Sequence, residues 1–374
     1  MARLLRRVAP WPLAAGCLQD RRAFCDGCPF GGAASSKPSP SRAAQAAPRL
    51  VEGKDFAVFR RDGSTAREAK LQDMLEALSS DPAQKAILLG EVHDDKVTHH
   101  LQLEVLRHLG RACRAQGKRL ILSMEMFEMD VQDVLDEYVM HKAIREEDML
   151  LDTRPWGNYM EDYRPLVEFC RAEGIRVLAA NAPRRYVSLV SRRGTEVLDT
   201  LRAKAAGELR LPALPLPAPS EAYRRKFEET MSMPALQSKS GSCPFIGFSS
   251  DDLRKVRPEM MQAQQLWDHS MAKSLGEQLG AEEVSVLHLC GAFHCAHGLG
   301  IPEALPRYWP AGGESPDPDF LGPKQSPPGV VSVICWPGAV EATLGLVRGG
   351  QAPRPLKDMG DWVIITEETF QESS

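Results

Sequence analysis

The chain has 374 residues, enough for one large domain or two ordinary ones with a substantial core. Its hydrophobic content of 43% and charged content of 26% are typical of soluble globular proteins, and its net charge of -4 argues against nucleic-acid binding, which usually needs a basic face. No apolar run approaches the ~18 residues of a membrane-spanning helix. Nine scattered cysteines argue against a disulfide scaffold and for a reducing compartment.

Residues 1–48 differ in composition from the rest of the chain. They are rich in arginine and poor in acids, and the stretch from Gly31 onward is mostly alanine, serine and proline. This pattern predicts an organellar transit peptide and linker, and "RRAFC" at residues 21–25 is typical of a mitochondrial cleavage region. Plastid import is an alternative, and "PLAAGC" before Cys17 is a weaker match to a bacterial lipoprotein signal. Cys25 and Cys28 lie in this segment, which argues against a redox or zinc role for the pair.

Residues 50–370 alternate buried strands with amphipathic helices. Strands are predicted, in chain order, at residues 85–90, 119–127, 175–181, 284–289, 329–336 and 361–368. The helices between them are predicted from Val97 to Gly110, after a cap at Asp130, through 187–190, and from Met260 to Leu279. The order of these elements predicts an α/β domain with a mainly parallel sheet flanked by helices.

Two stretches do not fit this alternation. Residues 205–255 are rich in proline, serine and glycine, and they predict an insertion that is either a lid over the site or a partly disordered excursion. A second, shorter loop of similar composition occupies residues 305–328.

Polar residues lie at or just after the ends of four of the predicted strands. Glu91 and His93 follow the first, Glu125 lies near the end of the second, Asn181 ends the third and His294 follows the fourth. Ligands of open parallel sheets bind at the carboxyl ends of the strands, which share one edge. We therefore expect these side chains to converge.

A Gly-x-x-His motif occurs at two of these strand ends, beginning at Gly90 and at Gly291. Glycine at these positions would let the chain leave the strand sharply and bring backbone close to a ligand. His93 precedes a helix, whose dipole favours the neutral imidazole that a metal ligand or general base requires. The structural alternative is an ordinary polar turn in which Asp94 or Asp95 caps the helix.

Five stretches together resemble the ChaN-like family of haem-binding or haem-uptake proteins, which is similar to the Tiki/TraB proteins and erythromycin esterase. They occur in the family's order between about residues 50 and 370, and they are "LLGEVHDD", "LSMEMFEMDVQDVLDEY", "WGNYMEDYRPLVEFCRAEGIRVLAANAPRR", "QAQQLWDHSMA" and "GAFHCAHGLGIPEAL".

The resemblance implies an α/β core of the ChaN and erythromycin-esterase type, a haem or iron-linked ligand, and often a homodimer. Enzymes of the superfamily hydrolyse substrates with paired Gly-x-x-His motifs and a glutamate, some with a divalent metal. The matching positions are Glu91, His93, Glu125 and His294, with His93 and His294 as the candidate metal ligands.

An aromatic cluster in the third block offers further contacts for a cofactor. Trp156, Tyr159 and Tyr163 would supply stacking and a phenolate ligand, and Arg164 would bind propionates. Simple core packing explains the same residues equally well. Arg184 and its neighbour Arg185 are further candidates to bind a carboxylate.

Other polar groups carry weaker hypotheses. His288, Cys290, Cys295 and His297 surround His294, but their spacing matches no standard zinc finger or ribbon. His297 and Cys295 are candidates for haem contact. His99 and His100 are explained as solvated or first-turn histidines of a helix, and Cys243-Pro244 is a short match to a regulatory haem motif. Trp267 and Asp268 are predicted to pack and cap the long helix.

The sequence is thus consistent with two functions from different classes. A third possibility is a binding or scaffold module in which the polar turns have no activity. The first is a cofactor-binding protein that holds haem at the strand ends and handles haem or iron inside an organelle. The second is a hydrolase in which Glu91 or Glu125 orients His93 as general base, while His294 stabilises developing charge or holds a metal. No Gly-x-Ser-x-Gly or His-Glu-x-x-His motif is present.

Overall fold

A computed structural model of the chain describes residues 49–81, 83–204, 210–231, 257–281, 283–309 and 326–370. The targeting segment predicted at 1–48 and the Cys243-Pro244 pair lie outside these residues. The same holds for residues 205–209 and 232–255 of the predicted insertion, and for most of the second loop.

Within the described residues, eight strands form one sheet in the order β2-β1-β8-β7-β3-β6-β4-β5. The six strands from β8 to β5 are parallel, and the hairpin β1-β2 adds to β8 in antiparallel fashion. The strands are β1 Phe56–Asp62, β2 Thr65–Ala69, β3 Ala86–Glu91, β4 Arg119–Glu128, β5 Arg176–Asn181, β6 Val284–Gly291, β7 Val330–Gly338 and β8 Trp362–Glu367.

Helices cover both faces of this sheet, as expected for parallel strands that are apolar on both sides. In chain order the α-helices are α1 Leu71–Ser80, α2 Lys96–Ala115, α3 Gln132–Val139, α4 Glu146–Thr153, α5 Arg164–Glu173, α6 Arg184–Arg193, α7 Glu196–Lys204, α8 Glu221–Met231, α9 Pro258–Leu279, α10 Ile301–Ala304, α11 Val340–Arg348 and α12 Arg354–Asp358. A π-helical turn, Tyr159–Tyr163, precedes α5.

Three hydrophobic clusters make up the interior. One packs α1, α2 and α3 to α5 on one face of the sheet, and the second packs α9, α11 and α12 on the other face. The third contains side chains of α6, α7 and α8 together with those of the first half of α9. The described part of the insertion, 210–231, thus contributes a packed helix to the domain, whereas the sequence predicted a lid or a partly disordered excursion.

The predicted strands are all present, but two local predictions are wrong. Helix α2 does not end at Gly110 but continues to Ala115. Asp130 does not cap a helix; its carboxylate binds the guanidinium groups of Arg154 and Arg185. The hairpin β1-β2 and helix α1 were not predicted.

No described helix is both long and apolar enough to cross a membrane.

Candidate functional site

The predicted strand-end residues come together at the carboxyl edge of the sheet. Strands β3, β6 and β4 are neighbours in the sheet. Glu91 and His93 come from the end of β3, His294 from the turn after β6, and Glu125 from β4, so the four side chains lie side by side. All four side chains are buried, with 1%, 5%, 4% and 4% of their surface exposed for Glu91, His93, Glu125 and His294. Four ionisable groups enclosed in this way require partners, because an unpaired buried charge is strongly destabilising.

Glu91 is the acceptor for three donors. His93 Nδ1 lies 2.6 Å and the Tyr163 hydroxyl 2.5 Å from Oε1, and Gln102 Nε2 donates to Oε2. Burial alone would raise the pKa of the Glu91 carboxyl, but the hydrogen bond from His93 and the charges nearby outweigh it, so this pKa is lowered. Burial disfavours the charged imidazole of His93, yet its bond to Glu91 raises its pKa.

His93 is fixed by its backbone as well as its ring. Its carbonyl oxygen accepts hydrogen bonds from His99 Nε2 and Asn158 Nδ2, both at 3.1 Å. The edge of Trp156 packs on the imidazole at a centroid distance of 4.8 Å. His99, predicted as a solvated or first-turn histidine, lies in the first turn of α2 and is buried, where its ring supports the turn that carries His93.

The other ring nitrogen of His93 points into the site. Nε2 is buried and has no hydrogen-bond partner among the described residues. It lies against Gly291, where an added Cβ would be 2.9 Å from it and 3.6 Å from His294 Cδ2. Since Nδ1 donates to Glu91, the neutral tautomer carries its lone pair on Nε2, where a metal or a proton would bind.

His294 is enclosed by two carboxylates. Its Nδ1 lies 2.5 Å from Asp268 Oδ1 and its Nε2 3.5 Å from Glu125 Oε1. Glu125 Oε2 also accepts the backbone N–H of Gly291 at 2.7 Å. Burial opposes charge on both partners. The charge of His294, with that of His93 and the hydrogen bond from the Gly291 N–H, nevertheless lowers the pKa of Glu125 to about 2, and the charges of Glu125 and Asp268 raise the pKa of His294 to about 10. Glu125 and His294 therefore form a buried ion pair at neutral pH.

Two further residues, both on the inserted helix α8, contact the surroundings of His294. The Tyr223 hydroxyl donates to Asp268 Oδ2 at 2.5 Å. Lys226 Nζ donates to the carbonyl oxygens of Phe293 and Ala296, at 2.5 and 2.9 Å. Sequence reasoning missed both because the insertion carries no recognisable motif.

Asp268 was also misassigned. It lies in the middle of α9, so it caps nothing, and it binds His294 instead. The one sequence signal for it was its place in the "QAQQLWDHSMA" block.

The two motif glycines are needed for close contact rather than for a left-handed backbone. A Cβ on Gly90 would lie 2.8 Å from Cys295 Sγ and 2.9 Å from Ala292 Cα. The equivalent atom on Gly291 would press on His93, as described above. Each glycine thus lets one motif pack against the other.

The predicted cofactor contacts divide into two groups. Tyr163 joins the Glu91 network, and Tyr159 is buried against Phe127 with no hydrogen-bond partner for its hydroxyl among the described residues. Arg164 instead binds both oxygens of Glu146, and Arg184 lies 3.5 Å from Glu128.

His297 and Asn181 do not join the network of His93 and His294. His297 has a left-handed backbone, and its N–H donates to Met359 O on the side of α12. Burial and the charge of Lys226 lower the pKa of His297 to about 4. Asn181 accepts the N–H of Ala182 and so closes the turn after β5.

The weaker zinc hypothesis gains no support. His288 is held inside β6 by Ser123, 2.8 Å from its Nδ1, and burial lowers its pKa to about 3. Within the described part of the chain, no group of three or more histidine, cysteine, aspartate or glutamate side chains is placed to hold a metal ion.

Asp95 caps helix α2, as predicted by the alternative in which the first Gly-x-x-His motif is an ordinary polar turn. Its carboxylate accepts the N–H groups of Val97 and Thr98 at 3.0 and 3.3 Å.

Comparison with known proteins supports the family resemblance. A family model described as haem-binding uptake, Tiki superfamily, ChaN matches residues 78–305. This span contains Glu91, His93, Glu125 and His294.

A solved structure confirms the predicted α/β fold. It is ChaN of Campylobacter jejuni, described for its cofacial haem binding, and it superposes with a TM-score of 0.56 at 20% identity, covering 85% of this chain and 100% of the other. At this identity the likeness concerns the fold.

A curated relative bears on the compartment. Protein RETICULATA-RELATED 5, chloroplastic, of Arabidopsis thaliana is 29% identical over 126 residues, which are 32% of this chain and 17% of the relative. The match thus spans a small part of that protein's length. Its name points to a plastid, so the mitochondrial prediction is wrong.

Proposed function

The chain belongs to the ChaN family of haem-binding uptake proteins in the Tiki superfamily, and on this premise we propose that it binds haem, with His93 as the residue that would hold the iron. The observation that carries this proposal is the orientation of His93: Nδ1 is bound by Glu91, and Nε2 is buried and unpartnered among the described residues.

The chemistry of these residues fits a haem ligand. A metal-binding histidine almost always donates its second ring N–H to a carboxylate, carbonyl or water, which fixes the ring and raises its basicity. Glu91 does this for His93, and Tyr163 and Gln102 hold Glu91 in turn. Bound haem would supply an iron centre that accepts a nitrogen ligand and exchanges electrons.

Carboxylates surround the imidazoles of the site. Glu91 contacts His93 and lies 3.8 Å from His99 Nδ1, and Glu125 and Asp268 contact His294. If haem binds, His93 would hold the iron through Nε2, which must then carry no proton.

Access to His93 requires a movement. Nε2 is covered in this structure, with Trp156 against the ring and Gly291 beneath it. We propose that Trp156 moves aside when haem binds. Tyr159, whose hydroxyl is also unpartnered among the described residues, is a second candidate ligand.

Haem titration of the full chain tests the proposal. We expect a saturable Soret shift that His93→Ala weakens by at least about tenfold, the equivalent of 1.4 kcal/mol, and that added imidazole restores. His141→Ala is the matched control, because His141 is exposed. Equal binding by wild type and His93→Ala would exclude His93 as ligand. Binding no tighter than to an unrelated protein of similar size would exclude the function.

The arginine and dimer predictions need separate tests. Arg164 and Arg184 must exchange their glutamate partners for propionates if they bind haem. Loss of haem affinity in Arg164→Ala or Arg184→Ala supports that role, and unchanged affinity rejects it. The homodimer stays a prediction, which light scattering with and without haem checks.

A second function is favoured by the Glu125–His294 ion pair. This buried imidazolium lies beside His93 across Gly291, so that a base and a positive charge face one space. His93 would activate water and His294 would stabilise an oxyanion, with or without a divalent metal. Metal analysis of the purified protein and a panel of ester and amide substrates test this. Turnover that survives both His93→Ala and His294→Ala contradicts it.

We further propose that haem or iron handling takes place inside an organelle. The chloroplastic relative supports a plastid as that compartment. Imaging of a fluorescent fusion of the full chain checks it, and signal outside plastids contradicts it.

A further inference from the structure

We propose that the inserted helix α8 is a fixed wall of the site, in which Tyr223 and Lys226 are positioning residues for His294. The proposal rests on the proposed function only in that it takes His294 as a site residue. It concerns the inserted segment, for which neither the family motifs nor the strand-end pattern predicts a role in the site.

Tyr223 orients His294 through Asp268. Tyr223 is 3% exposed, and its hydroxyl donates to Asp268 Oδ2, which leaves Oδ1 to accept the N–H of His294 Nδ1. A carboxylate held at both oxygens cannot rotate without losing a buried hydrogen bond. The imidazole is thereby kept in the orientation that directs Nε2 towards Glu125.

Lys226 holds the backbone on either side of the same histidine. Its side chain is buried, and one ammonium group donates to the carbonyls of Phe293, immediately before His294, and Ala296, two residues after it. The ammonium also lies 4.6 Å from the centre of the Phe293 ring. Burial lowers the pKa of Lys226 to about 8, so the amine stays mainly protonated and a full donor at pH 7.

Docking of α8 does not by itself require these polar contacts. Phe227 and Met231 of the same helix already belong to the third hydrophobic cluster, which also contains Met260 and Leu266 of α9. Burying a lysine and a tyrosine hydroxyl costs desolvation that further apolar residues would avoid. Because both polar groups bind the surroundings of His294, we infer that their role is to orient it.

Side-chain NMR of His294 in the ligand-free full chain tests this inference. We expect Tyr223→Phe to speed solvent exchange of the Nδ1 proton about tenfold or more, since a hydrogen bond to a charged group contributes about 1.5–3 kcal/mol. Tyr223→Phe keeps the ring and hence the apolar packing. The matched control is Tyr308→Phe, which removes a hydroxyl 3.0 Å from His269 Nδ1 on the same helix α9.

Lys226→Met provides an independent variant. It should shift the His294 ring resonances, and Lys226→Arg should restore them in part because it retains donors. Lys273→Met, which breaks a pair with Glu277 on α9, is the control and should leave them unchanged. Resonances and exchange unchanged in both Tyr223→Phe and Lys226→Met overturn the inference.

Haem titration separates this inference from the proposed function. If wild type binds no haem but Tyr223→Phe alters the His294 resonances, the proposed function fails and the positioning role stands. If wild type binds haem and neither variant alters those resonances, the positioning role fails and the function stands.

Discussion

His93 Nε2 lies 2.9 Å from the point that a Cβ on Gly291 would occupy, so the two Gly-x-x-His motifs meet at this glycine. The first motif provides the imidazole of His93, and the second provides a glycine, whose lack of a side chain leaves room for that ring. The two copies of the motif found in the sequence are therefore in contact in the folded protein.

Gly291→Ala should disturb the site directly. The new methyl group would force the His93 ring or strand β6 to shift, which should lower the free energy of unfolding by about 1–3 kcal/mol. Haem affinity should fall as well. Denaturant unfolding and haem titration measure the two effects. Gly345→Ala is the control, because no atom lies near its Cβ position in α11, and it should stabilise by about 0.5–1 kcal/mol. Wild-type stability and haem affinity in Gly291→Ala would show that the close contact is unimportant.

Glu91→Gln should be among the most destabilising conservative changes. The amide leaves the buried His93 imidazole without its counter-charge, and removing one partner of a buried pair costs about 3–5 kcal/mol. Equilibrium urea unfolding gives the free energy. The control Glu161→Gln alters an ion pair whose carboxylate is 77% exposed, and it should change stability by less than about 1 kcal/mol. Similar effects of the two substitutions would contradict the central role of Glu91.

The Glu125–His294 pair should make stability depend on pH at both ends of the range. The pKa of Glu125 is lowered from 4.5 to about 2, so its contribution is present above pH 4.5 and is lost as pH falls through 2. The pKa of His294 is raised from 6.5 to about 10, so its contribution is full below pH 6.5 and is lost as pH rises through 10. The double variant Glu125→Gln, His294→Gln should remove both slopes from the unfolding free energy. A double variant with the wild-type profile would refute the assignment.

Haem affinity should rise with pH if His93 coordinates the iron. The pKa of His93 is raised above 6.5, and iron must displace its proton, so the dissociation constant should fall about tenfold per pH unit below that pKa. Haem titrations at several pH values below that pKa measure how the dissociation constant changes with pH, and His93→Ala should show no such change. If the pH dependence persists in His93→Ala, the proton that iron displaces belongs to another residue.

Much of the site could be predicted because its sequence signals are local. A buried strand followed by Gly-x-x-His can be recognised within a dozen residues, and the shared carboxyl edge of parallel strands then brings Glu91, Glu125 and His294 together. The family blocks identified the same positions.

The partners of these residues could not be predicted, because hydrogen bonds between distant segments depend on how the segments pack. Tyr163 reaches Glu91 across 72 residues, and Tyr223 reaches Asp268 across 45. Arg164, which the sequence assigned to a propionate, instead binds Glu146 at the first position of α4. Neither periodicity nor composition encodes such pairings.

The sequence by itself determined the α/β class, the order of the strands along the chain and the four residues at their ends, because strand periodicity and glycine turns are local properties. The tertiary structure decided which nitrogen of each histidine is bound, which carboxylates are ionised and how the insertion joins the site. Those properties depend on burial and on neighbours from distant segments, which exist only once the chain has folded.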